Sequence, residues 1–284
     1  MFRRRRPAGH RRAARRDPKG MTTPLHFLHL TDLHMPPPGA LLRGIDVAAR
    51  VEATLAAIAE RHGPRGPLPA AFAVVTGDLT RDGEAAAYER LREALARLPF
   101  PAHLMLGNHD DRAAFRAAFP GAPADGEGFV QQALPGPAGL CLLLDTLDQG
   151  QAGGRLCDRR LAWLEARLAE SEGPVLLFLH HPPLPVGIGG MDAIGLRESA
   201  ALWEVLAPHR ARLRHLFHGH LHRPIAGSWR GIPLSSHRGP AFEVALASAS
   251  GRIEVSARLP PCYALARLEG GDLVVHTEEL AGIA

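Results

Sequence analysis

The chain has 284 residues, 46% of them hydrophobic and 22% charged, enough for a full core in one or two domains and too apolar for a disordered polymer. A net charge of +4 and a pI near 9.5 would suggest a polyanionic partner, but eight arginines and Lys19 against Asp17 put +8 into residues 1–20 and leave −4 for the rest. No apolar run nears the ~18 residues that span a bilayer, and no signal-peptide core follows the arginines. Cys141, Cys157 and Cys262 are too scattered for a disulfide framework or a CxxC site, so a cytoplasmic protein without a membrane partner is expected.

Residues 1–20 read as a disordered basic extension, with Pro7, Gly9, Pro18 and Gly20 breaking a run of like charge. Translation starting at Met21 would make them an upstream in-frame extension; an electrostatic tether to nucleic acid or an anionic surface is the other reading. From residue 21 to 284 one domain is predicted. Buried strands are expected at 25–31, 71–76, 102–106, 140–144, 175–179 and 213–217. Between them lie amphipathic helices. Val47, Val51, Leu55 and Ile58 share a face with Arg50, Glu52 and Glu60 off it, and Tyr88, Leu91, Leu95 and Leu98 repeat the scheme. Leu161, Leu164 and Leu168 form a third stripe, Leu202, Val205 and Leu206 a fourth. Strand–helix alternation predicts an α/β fold with helices on the outer faces of its sheet, and from Ile225 onward short strands and turns predict a β-rich end.

Five of these strands run into polar clusters: Thr31-Asp32-Leu33-His34, Gly77-Asp78, Gly107-Asn108-His109-Asp110, His180-His181-Pro182-Pro183 and His218-Gly219-His220-Leu221-His222. Ligands in open α/β sheets bind where strand carboxyl ends converge, so the clusters are expected around one site. In extended chain residues two apart point the same way, which pairs Asp32 with His34 and His220 with His222. Neighbours point apart, so Asn108 and His109 should not both serve one metal, nor His180 and His181. Glycine before Asp78, Asn108 and His220 permits close backbone approach. The donors are carboxylate, amide and imidazole without thiolate, a set for Mn, Fe, Zn or Co rather than copper(I) or an iron–sulfur cluster.

These five blocks, in this order from 32 to 222, resemble the calcineurin-like metallophosphoesterase superfamily. The resemblance implies a four-layer α-β-β-α sandwich of two mixed β-sheets flanked by helices, and two metal ions per chain. By position, Asp32, His34, Asp78 and His222 would hold the first ion, and Asp78, Asn108, His180 and His220 the second, with Asp78 bridging. His109 would face the phosphate, as a catalytic residue alongside Asp78, and Asn108 would also touch substrate. His181 would pack beside the prolines, and His218 would support the ligands. Asp110 would either orient His109 or cap a helix over residues 112–119.

The stretch from His180 to Leu184 with Gly190-Met191-Asp192 resembles the bacterial branch of cyclic nucleotide phosphodiesterases and glycerophosphodiesterases. There a histidine near Ser235-Ser236-His237 approaches substrate, which makes His237 a substrate-binding candidate. The glycines at 187–190 read as a mobile flap. The implied activity is hydrolysis of a small phosphodiester by hydroxide held between two ions. A phosphomonoesterase or nuclease on the same metals, and a non-catalytic scaffold, are the alternatives; a homodimer through the β-rich end is left open, and nucleic acid is not an expected partner.

Overall fold

The computed structural model describes residues 24–42, 44–246 and 253–282; the basic arm at 1–20 lies outside them. The elements in chain order are β1 (Leu25–Leu30), α1 (Val47–His62), β2 (Ala73–Val75), α2 (Ala85–Leu95), β3 (Ala102–Leu104), α3 (Arg112–Ala118) and β4 (Gln132–Gly136). Then follow β5 (Gly139–Leu143), α4 (Asp158–Ala169), β6 (Val175–Phe178), α5 (Gly189–Asp192), α6 (Ser199–Leu206) and β7 (Leu213–Phe217). The chain ends in β8 (Ile225–Trp229), β9 (Ile232–Ser236), β10 (Glu243–Val244), β11 (Val255–Ser256), β12 (Cys262–Glu269) and β13 (Asp272–Glu279).

One sheet has the order β13-β12-β1-β2-β3 and the other β4-β5-β6-β7-β9-β8. Both are mixed: β1, β2 and β3 run parallel, as do β5, β6, β7 and β9, while β12, β13, β4 and β8 pair antiparallel. The central strands are buried on both faces, which is why they read as near-continuous apolar runs. Alternate residues sort between the faces. Leu28, Leu30, Ala73 and Val75 meet α1, α2 and α3 through Val51, Leu55, Tyr88 and Phe115, whereas Phe27 and Val74 face the second sheet and meet Leu176, Phe178 and Phe217. On the far side Val175 and Leu177 pack against Leu164 and Leu168 of α4 and Leu202 of α6. The expected four-layer sandwich is the result, sealed at its centre by stacked Phe178 and Phe217 with Phe27 edge-on to both.

Local chemistry explains the boundaries. Asp46 caps α1 by accepting the Ala49 amide at 2.9 Å, and Arg61 and His62 sit at its carbonyl end. One position departs from the pattern: Arg50, expected on the wet face of α1, is buried, and its guanidinium donates to the Pro240 and Leu259 carbonyls at 2.9 and 2.8 Å. The segment at 187–190, expected as a flap, enters the short helix α5, with Asp192 accepting the Val186 and Gly187 amides.

The core also carries a set of neutral histidines. Burial lowers His29 well below its ordinary value, His218 to about 4 and His237 to about 3. A histidine whose folded pKa is depressed contributes stability that is present above 6.5 and lost as the pH falls toward the folded value. At pH 5 the cost is about 2 kcal/mol for each such buried ring. The urea midpoint is therefore expected to drop steadily from pH 7 to pH 5, and a flat profile over that window would contradict the neutral, buried state of these rings.

Candidate metal centre

The loops that follow β1, β2, β3, β6 and β7 converge at one edge of the sandwich. Their backbones are tied together before any side chain is considered: Asp32 N–H donates to the Gly77 carbonyl at 3.1 Å, His34 N–H to Asp78 at 2.9 Å and Gly219 N–H to His180 at 3.1 Å. Asp32, His34, Asp78, His220 and His222 all adopt positive φ, between 45° and 71°, and only Arg230 joins them among the described non-glycine residues. That conformation costs about 1–3 kcal/mol per residue. Strain is thus concentrated on candidate ligands.

The left-handed backbone corrects the expected reason for the pairing. Asp32 and His34 reach one donor group because each turns out of the strand, not because extended chain alternates, and His220 and His222, equally left-handed, reach different groups. His180 and His181, without a left-handed backbone, also have their rings close, with centroids 4.8 Å apart and planes perpendicular, where neighbours were expected to diverge. Glycine is required beside these turns. A Cβ on Gly107 would collide with Asp78 Oδ1 and His180 Nε2, and one on Gly219 with Thr31 Oγ1.

Two groups of donors result. In the first, ligand atoms of Asp32, His34, Asp78 and His222 lie within 4.8 Å of one another. His34 Nε2 and His222 Nε2 face each other at 3.1 Å, with Asp78 Oδ2 3.5 Å from the former and Asp32 Oδ1 3.5 Å from the latter. In the second, His180 Nε2 lies 3.3 Å from both Asp78 Oδ1 and Asn108 Oδ1, and His220 Nε2 is buried without a hydrogen-bond partner. Asp78 presents one carboxylate oxygen to each group. His180, His181 and His220 also lie within 4.8 Å of one another, but both His181 nitrogens are engaged, Nδ1 by Thr146 Oγ1 and Nε2 by the Ala152 carbonyl.

The electrostatics fit a cation in each group. Burial would raise Asp78, yet the His180, His109 and His34 imidazoles hold it well below the usual carboxylate range. Burial would lower His180, but Asp78 outweighs it and pushes the ring up to about 9. His34 and His220 are lowered well below 6.5 by burial, so their lone pairs are free near neutrality. Positive charge is favoured where these oxygen and nitrogen donors converge, which a divalent ion could supply in place of the proton. These residues fit two borderline or hard metal ions.

His109 stands outside the ligand groups. Its amide donates to Asp78 Oδ1 at 2.9 Å, its Nδ1 to the Arg81 carbonyl at 2.8 Å, and its ring meets His34 edge-on at 4.7 Å. Burial would lower its pKa, but Asp78 and the Arg81 carbonyl raise it above the ordinary value. Nε2 remains free where the ring lines a cleft of about 320 Å³. His34, Asp78, Asn108, His220 and His222 line the same cleft. Met191, Ile194, Val244 and Val255 also line it, giving the cleft the apolar lining that small-ligand sites use.

Three expectations fail here. His237 is 1% exposed and does not line the cleft; its Nε2 donates to the His29 carbonyl at 3.0 Å and its Nδ1 accepts the Gly239 amide, so it fastens the loop after β9 instead of meeting substrate. Asp110 neither orients His109 nor caps α3. The cap is Asp111, which accepts the Ala114 amide at 2.7 Å. His218 is buried with Nδ1 on the Gly219 carbonyl and no hydrogen bond to a candidate ligand. The sequence did not single out Phe242, whose ring stacks on His222 at 4.1 Å and lies 5.1 Å from His34. Nor did it single out Arg81, the one arginine among the described residues of the cleft wall. Neither carries a spacing that would mark it.

Comparison with known proteins places the chain in a family. A family model described as calcineurin-like phosphoesterase matches residues 25–224. A "probable cyclic nucleotide phosphodiesterase" of Rhodopseudomonas palustris is 44% identical over 89% of this chain and 91% of its own length. A 3',5'-cyclic adenosine monophosphate phosphodiesterase of Pseudomonas aeruginosa is 34% identical over 85% of each chain. Among solved structures, purple acid phosphatase from yellow lupin superposes with a TM-score of 0.60 at 11% identity, covering 92% of this chain and 52% of that one, a likeness of fold.

Proposed function

The chain belongs to the calcineurin-like phosphoesterase family, and on that premise we propose that it hydrolyses small phosphodiesters, 3',5'-cyclic nucleotides or glycerophosphodiesters, with two metal ions. The observation that carries this reading is Asp78, with Oδ1 at 3.3 Å from His180 and Oδ2 at 3.5 Å from His34, a carboxylate placed to be shared. Asp32, His34 and His222 would complete one ion's shell, and Asn108, His180 and His220 the other's. When bound, the ions supply positive charge to the phosphoryl oxygens and acidify water.

The chain's own residues do the rest. Asp32 is held in place by the His220 amide on both oxygens and by the Thr31 hydroxyl at 2.8 Å, so it is presented without rearrangement. The Arg81 carbonyl holds a proton on His109 Nδ1, so Nε2 can donate to a phosphoryl oxygen or to the departing alkoxide when the ring is the imidazolium, the form that Asp78 and that carbonyl favour. Met191, Ile194, Val244 and Val255 exclude water from the organic part of the ester.

The test is a substrate panel on one preparation of known metal content, assayed with manganese. Cyclic AMP or a glycerophosphodiester is expected to exceed an aryl monophosphate and an oligonucleotide in kcat/KM by about 100-fold or more, ~2.7 kcal/mol of discrimination. A preference for the monoester or the oligonucleotide would overturn the diester reading and leave the metal centre standing.

A further inference from the structure

Asp110 is 2% exposed and accepts five hydrogen bonds. Its Oδ2 takes the amides of Gly107 at 2.9 Å and Leu79 at 3.0 Å. Its Oδ1 takes the Thr80 amide at 3.1 Å, the Thr80 hydroxyl at 3.3 Å and the Tyr88 hydroxyl at 2.9 Å. All five partners donate, and three of them are backbone N–H groups, one or more on each oxygen, which have no lone pair to offer a protonated or amide side chain. The two amides on Oδ2 belong to different loops. Leu79 follows Asp78, and Gly107 precedes Asn108. The carboxylate is therefore a staple between the loop that carries the shared ligand and the loop that carries the amide ligand. Tyr88, on α2, also accepts the Asp111 amide at 3.0 Å and braces the staple from the helix layer.

We propose that Asp110 is a positioning residue for the ion on the Asn108 side: it sets the separation of Asp78 from Asn108, and that ion's shell forms only while the staple holds. The other shell shares Asp78 but depends less on the staple, because its remaining ligands Asp32, His34 and His222 come from loops with no hydrogen bond to Asp110. This rests on the two-ion reading above. Partners behind metal ligands typically contribute 10–100-fold to affinity.

Manganese titrated into the chelated full chain tests this, followed by calorimetry and by the electron paramagnetic resonance of coupled ions. The wild type is expected to take two ions with a coupled spectrum. Asp110→Asn sets an NH2 group against at least one backbone N–H in either orientation, and is expected to weaken the ion on the Asn108 side at least about tenfold and the other ion distinctly less, with the coupled spectrum lost. A purely structural role would lower the melting temperature and leave stoichiometry and spectrum alone, and that result overturns the proposal. A wild type that takes only one ion overturns the two-ion reading first, and the proposal with it. Should Asp110→Asn fail to fold, Tyr88→Phe decides, since it removes one donor and keeps the carboxylate: severalfold weaker second-ion binding supports the staple, and unaltered binding refutes it.

Discussion

Replacing Asp78 by asparagine is expected to lower kcat for a diester by about 10³-fold or more while the chain folds as before. The size follows from the position. Asp78 is the one candidate ligand whose two oxygens face two different imidazoles, His180 at 3.3 Å and His34 at 3.5 Å, so a neutral amide removes the shared negative charge from both groups at once. Loss of about 4 kcal/mol of transition-state stabilisation corresponds to that factor. The fold survives because asparagine is isosteric and among the residues most tolerant of positive φ, which is 50° at this position. Its amide oxygen can still accept the His109 N–H at 2.9 Å. Circular dichroism would establish folding, and metal analysis of the same sample would establish loading. Undiminished turnover in a sample shown to hold its metal would defeat the shared-ligand arrangement. A weaker effect is expected at Asn108, which touches one group only.

The strands that deliver these ligands were legible because they are buried on both faces. Apolar runs such as Val175–Phe178 have few other interpretations when a polar cluster follows each one. What lay beyond sequence reasoning shares a cause: the partner lies far away along the chain. Strand β4 contains Pro135 and Gly136 and reads as a loop, yet it pairs with β5 along a sheet edge, where a missing ladder hydrogen bond is tolerated. Arg50 has the spacing of a solvated residue, and only carbonyls 190 and 209 positions away make its burial satisfiable. His237 was expected to meet substrate because of the resemblance to the phosphodiesterase branch; the carbonyl it serves is on β1.

The ligand pairs teach a narrower lesson. Strand periodicity paired Asp32 with His34, which share a donor group, and His220 with His222, which fall in different ones, and the backbone at all four is left-handed. A spacing of two is equally what consecutive tight turns produce, so the spacing identified the first pair without identifying the conformation. The glycines were the better clue. Gly107 and Gly219 sit where a Cβ would strike a ligand or its support, and close approach was the reason for expecting them.

His109→Ala is expected to cost about 10²–10⁴-fold in kcat with both metal equivalents retained, because the ring lies beside the ligands without belonging to either group. Leaving-group chemistry then separates its two possible tasks. If Nε2 protonates the departing oxygen, the loss is large for cyclic AMP, whose sugar alkoxide is strongly basic, and small for a 4-nitrophenyl ester, whose phenolate leaves unaided. If the imidazolium stabilises charge on the phosphoryl oxygens, both substrates suffer equally. The pH dependence has a definite sign. Burial would depress this ring, but Asp78 and the Arg81 carbonyl raise its pKa, so the donating form is complete below the ordinary value of 6.5 and is lost as pH rises through the folded value. Wild-type kcat should accordingly carry an alkaline limb that His109→Ala lacks. An alanine variant that keeps the same limb would assign the titration to another group and remove His109 from the chemistry.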